Sequence, residues 1–268
     1  MDALVASLGM YDFPFLAEAN RRLWAAIGGS LRAAGIDAPV ALDRSEPCEA
    51  WANPRLVFGQ TCGYPFITAL RDRVSLLATP IYSFEGCDGP NHCSFIIARA
   101  GSRGRSLAGF QGARAAVNAR DSNTGMNLFR ALIAPIARSR PMFSQVLVTG
   151  SHAASLEAVA GGSADIAAID CVTYGLLRRG RPDLAEKVVV IAHSQAAPGL
   201  PFVISAGLGE PLAAAVRVAL YAALNDPALA DAREALGLKG AALLDEAAYG
   251  KIAEIERAAA ALGYPELA

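Results

Sequence analysis

The sequence predicts an α/β protein of two lobes, and three observations lead to this class. Residues 115–169 alternate apolar runs with segments of helical spacing, in the order strand, helix, strand, helix, strand. Two stretches rich in glycine or proline, near Gly101 and Pro198, are typical of chain crossings between lobes. Of the 268 residues, 53% are hydrophobic and only 18% are charged, which is enough apolar material for one large core or two modest ones.

The amino-terminal part is predicted to alternate strands with helices. We expect strands at residues 4–9, 39–42, 55–58, 76–80 and 94–99, and helices at residues 15–34 and 65–71. The long helix is indicated by apolar side chains at helical spacing and by a stop at Gly35. Glycines in the turn from Gly59 to Pro65 permit a close approach of another backbone.

The rest of the chain continues the alternation and ends in helices. We expect strands at residues 115–117, 146–148, 164–169 and 202–205, and helices after each of the first three. The tail, at residues 211–224 and 249–262, is rich in Ala, Leu and Glu and is predicted to be helical. These tail helices are expected to pack on the first lobe.

The two crossings define the predicted lobes. We place them at Gly101–Gly104 and at His193–Pro201, where turn residues interrupt the pattern. The first lobe then consists of residues 1–98 and 202–268, and the second lobe of residues 99–201. A ligand cleft is expected between the lobes, which would close by a hinge at the two crossings.

The most informative turn follows the strand at residues 115–117. Ser122, Asn123, Thr124 and Gly125 stand where a helix begins, and a helix start leaves unpaired N–H groups and a partial positive charge. Together with the hydroxyl groups, these donors would suit a phosphate or phosphonate oxyanion. The alternative is that Asp121 or Ser122 serves only as a helix cap.

Two further strand ends carry polar side chains. Ser151 and His152 follow the strand at residues 146–148, and Asp170 follows the strand at residues 164–169. Because ligands of open parallel sheets bind outside the carboxyl ends of the strands, we expect these residues to face one crevice with the Ser122–Gly125 turn. As an acceptor, Asp170 would favour a monoprotonated oxyanion or a ligand with its own donor, and would disfavour sulfate.

Four residues outside these turns complete the candidate ligand-binding set. Tyr11 follows the first strand, and Thr61 and Tyr64 lie in the turn from Gly59 to Pro65. Each of these tyrosines can lend a hydroxyl to a ligand or can simply pack in the interior. His92 lies in a loop between Cys87 and Cys93, where it either contacts ligand or is merely solvated.

Three segments of the chain resemble the periplasmic phosphate/phosphonate-binding proteins of ABC transporters. They are FGQTCGYP at residues 58–65, NARDSNTG at residues 118–125 and VTGSHAASLEAVAGGSADIAAIDC at residues 148–171. The resemblance extends from Leu8 to about Pro201. It implies the type II periplasmic-binding-protein architecture, with the family's Ser-x-Thr/Ser-Gly turn gripping the phosphonate oxygens.

The resemblance also assigns expected roles. The family's Gly-Ser-His turn matches residues 150–152, and its acidic residue that meets the polar group of the ligand matches Asp170. Asn123 stands where the family has a hydroxyl, and an acidic residue that relatives use against an amino group has no counterpart here. The second departure argues against an aminoalkyl phosphonate.

Composition excludes several function classes. The net charge is −1 and the pI is near 6.3, so no basic field would attract nucleic acid. No stretch approaches the ~20 apolar residues of a membrane span.

The five cysteines include no Cys-x-x-Cys pair, so we expect neither a metal nor a cofactor. Cys87 and Cys93 could form a small-loop disulfide in an exported protein, and buried free thiols are the alternative.

The amino terminus leaves the location open. Residues 1–8 lack a basic region and a cleavage site and are interpreted as the start of the first strand, not as a signal peptide. Either the protein is periplasmic and a leader has been removed, or it is cytoplasmic. If it is exported, the expected partners are a small oxyanion ligand and an ABC transporter permease, and the protein is expected to be a monomer.

A non-enzymatic binding protein is therefore the predicted function. One alternative is a hydrolase or transferase that uses Cys62 or Ser122 with His152. Against it, the sequence has no Gly-x-Ser-x-Gly elbow, no phosphate-binding Gly-x-x-x-x-Gly-Lys loop and only three histidines. The other alternative is a cytoplasmic ligand-sensing module with the same site.

Overall fold

A computed structural model describes residues 3–137 and 140–268. The helices are α1 (Ala17–Ala33), α2 (Pro47–Ala52), α3 (Gly63–Ile67), α4 (Leu128–Ala137), α5 (His152–Gly161), α6 (Cys171–Gly180), α7 (Pro182–Ala185), α8 (Glu210–Asn225), α9 (Ala230–Leu236) and α10 (Gly250–Ala261). The strands are β1 (Val5–Ser7), β2 (Leu56–Gln60), β3 (Val74–Tyr82), β4 (Cys87–Asp88), β5 (Asn91–His92), β6 (Ser94–Arg99), β7 (Arg114–Val117), β8 (Gln145–Val148), β9 (Ile166–Asp170), β10 (Val188–His193), β11 (Ala197–Pro198), β12 (Phe202–Ser205) and β13 (Leu238–Ala242).

The chain divides into two compact units. The first contains residues up to Ser83 together with Gly199–Ala248, and the second contains Phe84–Pro198 and Tyr249–Ala268. The chain therefore passes from one unit to the other three times, near residues 83, 198 and 248. The expected first lobe included residues 1 and 2, and the expected second lobe included residues 138 and 139. These four residues lie outside the described part of the chain.

The first unit is built on a five-stranded sheet with the order β1-β2-β12-β3-β13. β1 and β2 run parallel, and β12 pairs antiparallel with both β2 and β3. Phe58 in the fully buried β2 stacks on Trp24 of α1 and packs against Phe202 of β12. Because β1 and β2 are parallel, the segments that follow them emerge at the same edge of this sheet.

The second unit is built on a sheet with the order β10-β6-β9-β7-β8. β7 runs parallel to both β8 and β9, whereas β6 runs antiparallel to β9. The middle strands are apolar at nearly every position because both faces are covered, and Phe129 and Ile133 of α4 are fully buried in the core on one face. A small sheet in the order β11-β5-β4 also belongs to this unit.

The division differs from the expected lobes in the placement of two elements and of one crossing. Strand β6 was expected in the first lobe but pairs along its length with β9, so it belongs to the second unit. Helix α10 was also expected to pack on the first lobe, but it packs on α4. The Gly101–Gly104 joint lies inside the second unit, between β6 and β7, so it is not a crossing.

Most predicted elements are present with shifted ends, but one strand is not. Residues 39–42 form no strand, because the carbonyl of Pro39 accepts hydrogen bonds from the indole of Trp24 and the guanidinium of Arg32. Val40 is 79% exposed, so the apolar run at this point buries little surface. The strand expected at residues 94–99 coincides with β6, and the helix expected at 65–71 is the shorter α3.

Among the described residues, no single helix has both the length and the apolar composition of a membrane span. The pair Glu210–Asn225 and Pro227–Leu236, which is bent by 73°, meets these two criteria only when its halves are joined.

Candidate functional site

Three strand ends of the second unit bring the candidate residues together. β7, β8 and β9 are parallel neighbours, so the turns after Val117, Val148 and Ile169 leave the sheet at one edge. Hydrogen bonds join the first two turns directly: the N–H of Thr149 donates to Val117 O and that of Gly150 to Asn118 O, both at 2.9 Å. These turns therefore lie at one edge of the sheet, and the single crevice expected there stays a prediction.

The turn after β7 opens with a π-helical segment, Asn123–Asn127, before α4 begins. Ser122 is its N-cap: the Oγ atom accepts a hydrogen bond from the N–H of Gly125 at 2.9 Å. The wider π turn is also closed by the N–H of Asn127, which donates to Ser122 O at 3.0 Å. Ser122 is thus a cap, as the alternative interpretation held, but its hydroxyl proton is not used by this bond. Single π turns of this kind are frequent at functional sites.

A side-chain contact between Thr124 and His152 joins the first two turns. Thr124 Oγ1 lies 3.0 Å from His152 Nε2. Glycine at position 125 permits this arrangement, because a Cβ there would lie 1.7 Å from Asn118 Oδ1 and 3.1 Å from His152 Cε1. The atom nearest to this position belongs to the Asn118 side chain, which sequence reasoning did not single out.

The third strand end places Asp170 against His92. Ser94 of β6 pairs in register with Asp170 of β9, so residues just before β6 reach the same edge of the sheet. His92 Nδ1 lies 3.6 Å from Asp170 Oδ1, and both side chains are almost completely buried. Asp170 Oδ2 also accepts the N–H of Thr173 at 2.9 Å and so caps α6.

The electrostatics of Asp170 favour its ionised form. Burial is the largest influence and acts to raise the pKa of this carboxyl group. The neighbouring His92 and His152 and the N–H of Thr173 together outweigh burial and lower the pKa of Asp170 to about 2. The site therefore keeps a buried carboxylate at neutral pH.

His152 has the opposite tendency. Burial of the ring lowers its pKa, and the carboxylate of Asp170 and the backbone of Ala168 only partly oppose this effect. The imidazole is therefore neutral at neutral pH, so its Nε2 atom can either donate to Thr124 Oγ1 or accept from it.

Buried serines support this arrangement from β6. Ser94 Oγ donates to the backbone carbonyl of Thr124 at 2.7 Å, which fixes the π turn against the sheet. The N–H of Ser94 in turn donates to Ser194 Oγ at 2.8 Å. Neither serine was predicted to contact the site, because Ser94 lies in a strand and Ser194 lies in the stretch at residues 193–201 that was interpreted as a crossing.

Asn123 and Ser151 have different surroundings from their neighbours. Asn123 is buried, and its Oδ1 accepts a hydrogen bond from Asn127 Nδ2, which also donates to Ile252 O of α10. Asn127 thus joins the turn to the carboxyl-terminal helix, and Asn123 holds the Asn127 amide in place. Ser151 is exposed, and its Oγ accepts the N–H of Ala154 at 3.1 Å as the cap of α5.

The remaining candidates, Tyr11, Thr61 and Tyr64, lie in the first unit. Tyr11 is buried and packs edge to face on Tyr82 at 5.5 Å between ring centroids. Thr61 is fully buried, and its Oγ1 donates to Cys62 O. Tyr64 is half-buried in α3. Gln60, which was not predicted, donates to the hydroxyl of Tyr82 and to Leu200 O, both at 3.2 Å.

The geometry also bears on the enzyme alternative. That alternative gave Cys62 or Ser122 as the nucleophile with His152, but the hydroxyl that contacts His152 Nε2 belongs to Thr124. Ser122 Oγ is engaged as an acceptor in its own turn. No group of three or more His, Cys, Asp or Glu side chains in the described part of the chain is placed to hold a metal ion.

Sequence comparison matches most of the chain to one family. The sequence model described as "ABC transporter, phosphonate, periplasmic substrate-binding protein" matches residues 22–249. No curated protein sequence matches this chain.

Several solved structures share the fold. A binding protein component of an ABC phosphonate transporter from Pseudomonas aeruginosa aligns with a TM-score of 0.77 at 16% identity, over 97% of this chain and 88% of that one. PhnD1 from Prochlorococcus marinus, in complex with methylphosphonate, aligns with a TM-score of 0.72 at 12% identity, over 95% and 97%. XAC2383 from Xanthomonas citri, bound to chloride, aligns with a TM-score of 0.72 at 16% identity, over 97% and 98%.

Proposed function

Since this chain belongs to the family of periplasmic phosphonate substrate-binding proteins of ABC transporters, we propose that its second unit binds the tetrahedral head of a phosphonate or phosphate ligand. The observation that carries this proposal is the contact between Thr124 Oγ1 and His152 Nε2 at 3.0 Å. It joins two helix starts at one sheet edge, beside the buried carboxylate of Asp170.

Family membership confirms the predicted class of function. The family consists of substrate-binding proteins that do not turn over their ligand, so the chain is a binding protein and the enzyme alternative is wrong. The predicted type II periplasmic-binding-protein fold is also confirmed by the similar solved structures.

Neutral dipoles provide the proposed binding. The hydroxyl groups of Ser122 and Thr124, the imidazole of His152 and the N–H groups at the starts of two helices can all donate to oxyanion oxygens. The residues named in this site include no lysine or arginine. A bound oxyanion would replace the hydrogen bond between Thr124 and His152, so each partner would gain a charged acceptor.

Asp170 sets the proposed selectivity. Because its carboxylate stays ionised, it repels a ligand that has only acceptor oxygens, such as sulfate. A monoprotonated phosphonate or phosphate, or a ligand with a hydroxyl or amino group, can donate a hydrogen bond to it. Ser151 and Asn123 remain proposed ligand contacts of the second unit, through their side chains or backbone N–H groups.

In the first unit we keep Tyr11, Thr61 and Tyr64 as proposed ligand-binding residues. Tyr64 is the least buried of the three, so its phenol is the most available to an added molecule. Tyr11 and Thr61 lie in the segments that follow the parallel strands β1 and β2, where ligands of such sheets bind.

The partner and the compartment follow from the family. An ABC transporter is the partner of this family, and its members act in the periplasm. We propose that this protein is periplasmic and delivers its ligand as a monomer. Cell fractionation tests the first point, and light scattering of the purified protein tests the second.

Calorimetry tests the proposed ligand class. The protein is unfolded, dialysed and refolded to remove any ligand that co-purifies, and is then titrated with methylphosphonate, phosphate, phosphite and sulfate. We expect at least one phosphorus oxyanion to bind at least about tenfold more tightly than sulfate, a difference of about 1.4 kcal/mol. Failure of all three to bind at millimolar concentration, or equal binding of sulfate, would contradict the proposal.

A further inference from the structure

Three cysteines of the second unit form a cluster beside the proposed binding site. This thiol cluster consists of Cys87, Cys93 and Cys171, and the Sγ atoms of Cys87 and Cys171 lie 3.5 Å apart. A Cβ at Gly86 would lie 2.8 Å from both Cys93 Sγ and Cys171 Cβ, so only glycine allows the thiols to pack this closely. The sequence suggested a different pairing, between Cys87 and Cys93, but all of these cysteines are free thiols in the structure.

Two residues of the thiol cluster are direct backbone neighbours of site residues, one by strand pairing and one along the chain. Cys87 of β4 pairs in register with His92 of β5, so the same short hairpin carries a thiol and a site residue. Cys171 follows Asp170 directly, and its N–H donates to Cys93 O at 3.2 Å. A bond between Cys87 and Cys171 would therefore tie the two elements that hold His92 and Asp170.

Metal binding does not explain the cluster. No group of three His, Cys, Asp or Glu side chains in the described residues, these cysteines included, is placed to hold a metal ion. A disulfide needs only one pair of sulfurs, at about 2.0 Å. The Sγ atoms of Cys87 and Cys171, which lie 3.5 Å apart, must approach each other by about 1.5 Å to form such a bond.

Exposure distinguishes the roles of the two sulfurs. Cys87 is half-buried, so a small oxidant can reach it, whereas Cys171 is completely buried and can react only with a neighbour. The adjacent Cys87 thiol, burial and the carboxylate of Asp170 raise the pKa of Cys171 far above its usual range, while Cys93 acts against them. The buried thiol is thus a poor first nucleophile, and the exposed one is the starting point.

We propose that Cys87 and Cys171 form a reversible disulfide that controls ligand binding at the His92–Asp170 pair. The oxidant is a small disulfide such as oxidised glutathione. The Cys87 thiolate attacks one of its sulfurs, which forms a mixed disulfide and releases one glutathione as a thiolate. This thiolate accepts the proton of Cys171 as the Cys171 sulfur attacks the Cys87 sulfur. The second glutathione leaves as a thiolate and takes up the proton that Cys87 gave to solvent, so two cysteines lose two electrons and two protons to the oxidant.

The bond has a direct consequence for the site. It fixes the hairpin with His92 to the start of α6, beside Asp170, and thereby removes conformational freedom that a ligand would otherwise have to remove. We expect the oxidised protein to bind methylphosphonate at least about threefold more tightly than the reduced protein. This second expectation rests on the proposed function, whereas the formation of the disulfide does not.

Peptide mapping by mass spectrometry tests the disulfide. The folded protein is incubated with oxidised glutathione, quenched with acid and digested without reduction. We expect a linked pair of peptides containing Cys87 and Cys171, which persists in Cys93→Ser and in the matched control Cys48→Ser, an exposed cysteine outside the cluster. Cys87→Ser should abolish the linked pair and leave Cys171 unmodified. Glutathione that stays on Cys87, or a bond between Cys93 and Cys171, would overturn the proposal.

Calorimetry of the same samples tests the control of binding. A lower Kd for methylphosphonate in the oxidised protein, reversed by reduction and absent in Cys87→Ser, supports it. Equal Kd values in both states would overturn the control of binding. If neither state binds any phosphorus oxyanion, the proposed function fails and the coupling with it, while the linked peptides still establish the disulfide.

Discussion

Thr124 is the residue whose hydroxyl is most directly assigned to the ligand. Thr124→Ala removes a hydrogen bond to a charged group, so we expect methylphosphonate binding to weaken by about 1–3 kcal/mol. Thr124→Ser should retain most of the affinity because it keeps the hydroxyl. Calorimetry on ligand-free protein measures both effects.

A second threonine at the same sheet edge provides the control. Thr149 Oγ1 contacts Ser155 Oγ at 2.6 Å and donates to Val117 O, so it holds the turn together. We expect Thr149→Ala to lower the melting temperature and to spare affinity. Equal losses of affinity in Thr149→Ala and Thr124→Ala would show that both act only through the fold.

Gly125 is expected to tolerate no side chain. A Cβ at this position would lie 1.7 Å from Asn118 Oδ1, so Gly125→Ala must displace the Asn118 side chain or the π turn. We expect a loss of unfolding free energy of about 1–3 kcal/mol, as for other overpacked sites, measured by urea denaturation. The matched control is Gly161→Ala in α5, where a Cβ meets nothing within 4 Å. An unchanged unfolding free energy for Gly125→Ala would contradict the close packing of Asn118 against Gly125.

At the scale of residues, the sequence predicted the possible roles of Ser122 but not which hydrogen bond it makes. The sequence indicated both a cap and a ligand donor at this position, and only the structure shows that Ser122 Oγ accepts the N–H of Gly125. Ser94 was missed because its contacts, with Thr124 and Ser194, join residues that lie far apart in the sequence. Such contacts depend on strand register, which no local pattern encodes.

At the scale of elements, Asp170 joins a strand end, a helix start and the β4–β5 hairpin. The folded pKa of Asp170, about 2, is below the unfolded value near 3.9, so its contribution to stability is fully present above pH 4. That contribution, about 2 kcal/mol, should be lost as the pH falls from 4 through 2.

Urea denaturation at several pH values measures this effect. We expect wild-type protein to be more stable than Asp170→Asn at pH 6 and the difference to shrink steeply below pH 4. Asn at this position can still cap α6, which limits other effects of the change. The exposed Asp121→Asn serves as the control and should follow the wild type at every pH. A difference between wild type and Asp170→Asn that does not depend on pH would mean that the charge of Asp170 contributes nothing.

Elements whose apolar residues recur with a clear period were predictable from the sequence, and elements without such a period were not. The alternation from β7 to α6 follows from apolar runs and helical spacing, and strands β6 and β9 follow from near-continuous apolar residues. The false strand at residues 39–42 arose because an apolar run does not reveal that side chains of α1 pair with its backbone. The short hairpin of β4 and β5 has too few residues for any periodic pattern.

At the scale of the whole molecule, the residues named in the proposed phosphonate site include no lysine or arginine. We therefore expect the affinity for ligand to depend only weakly on salt. Buried dipoles are screened little by mobile ions, whereas exposed charges are screened strongly. We expect the Kd for methylphosphonate to change less than about threefold between about 0.05 M and about 0.5 M sodium chloride. A repeat in sodium acetate separates screening from competition by chloride. A loss of affinity of tenfold or more in both salts would indicate that unrecognised cations bind the ligand.

The lobe boundaries were the least predictable feature at this scale. Glycine- and proline-rich stretches mark turns, but a turn inside a unit and a crossing between units have the same composition. The Gly101–Gly104 stretch joins two strands of one sheet, whereas the passage near residue 83 directly follows a strand and has no comparable signal. The fold class was nevertheless predictable, because it depends on the order of the elements.

A crystal structure of the protein with methylphosphonate tests the central claim most directly. The account predicts phosphonate oxygens within about 3.2 Å of Thr124 Oγ1 and His152 Nε2, with the phosphonate at the ends of β7 and β8. It also predicts that the carboxylate of Asp170 accepts a hydrogen bond from a protonated oxygen of the ligand. A phosphonate bound elsewhere, with the hydrogen bond between Thr124 and His152 intact, would contradict the account.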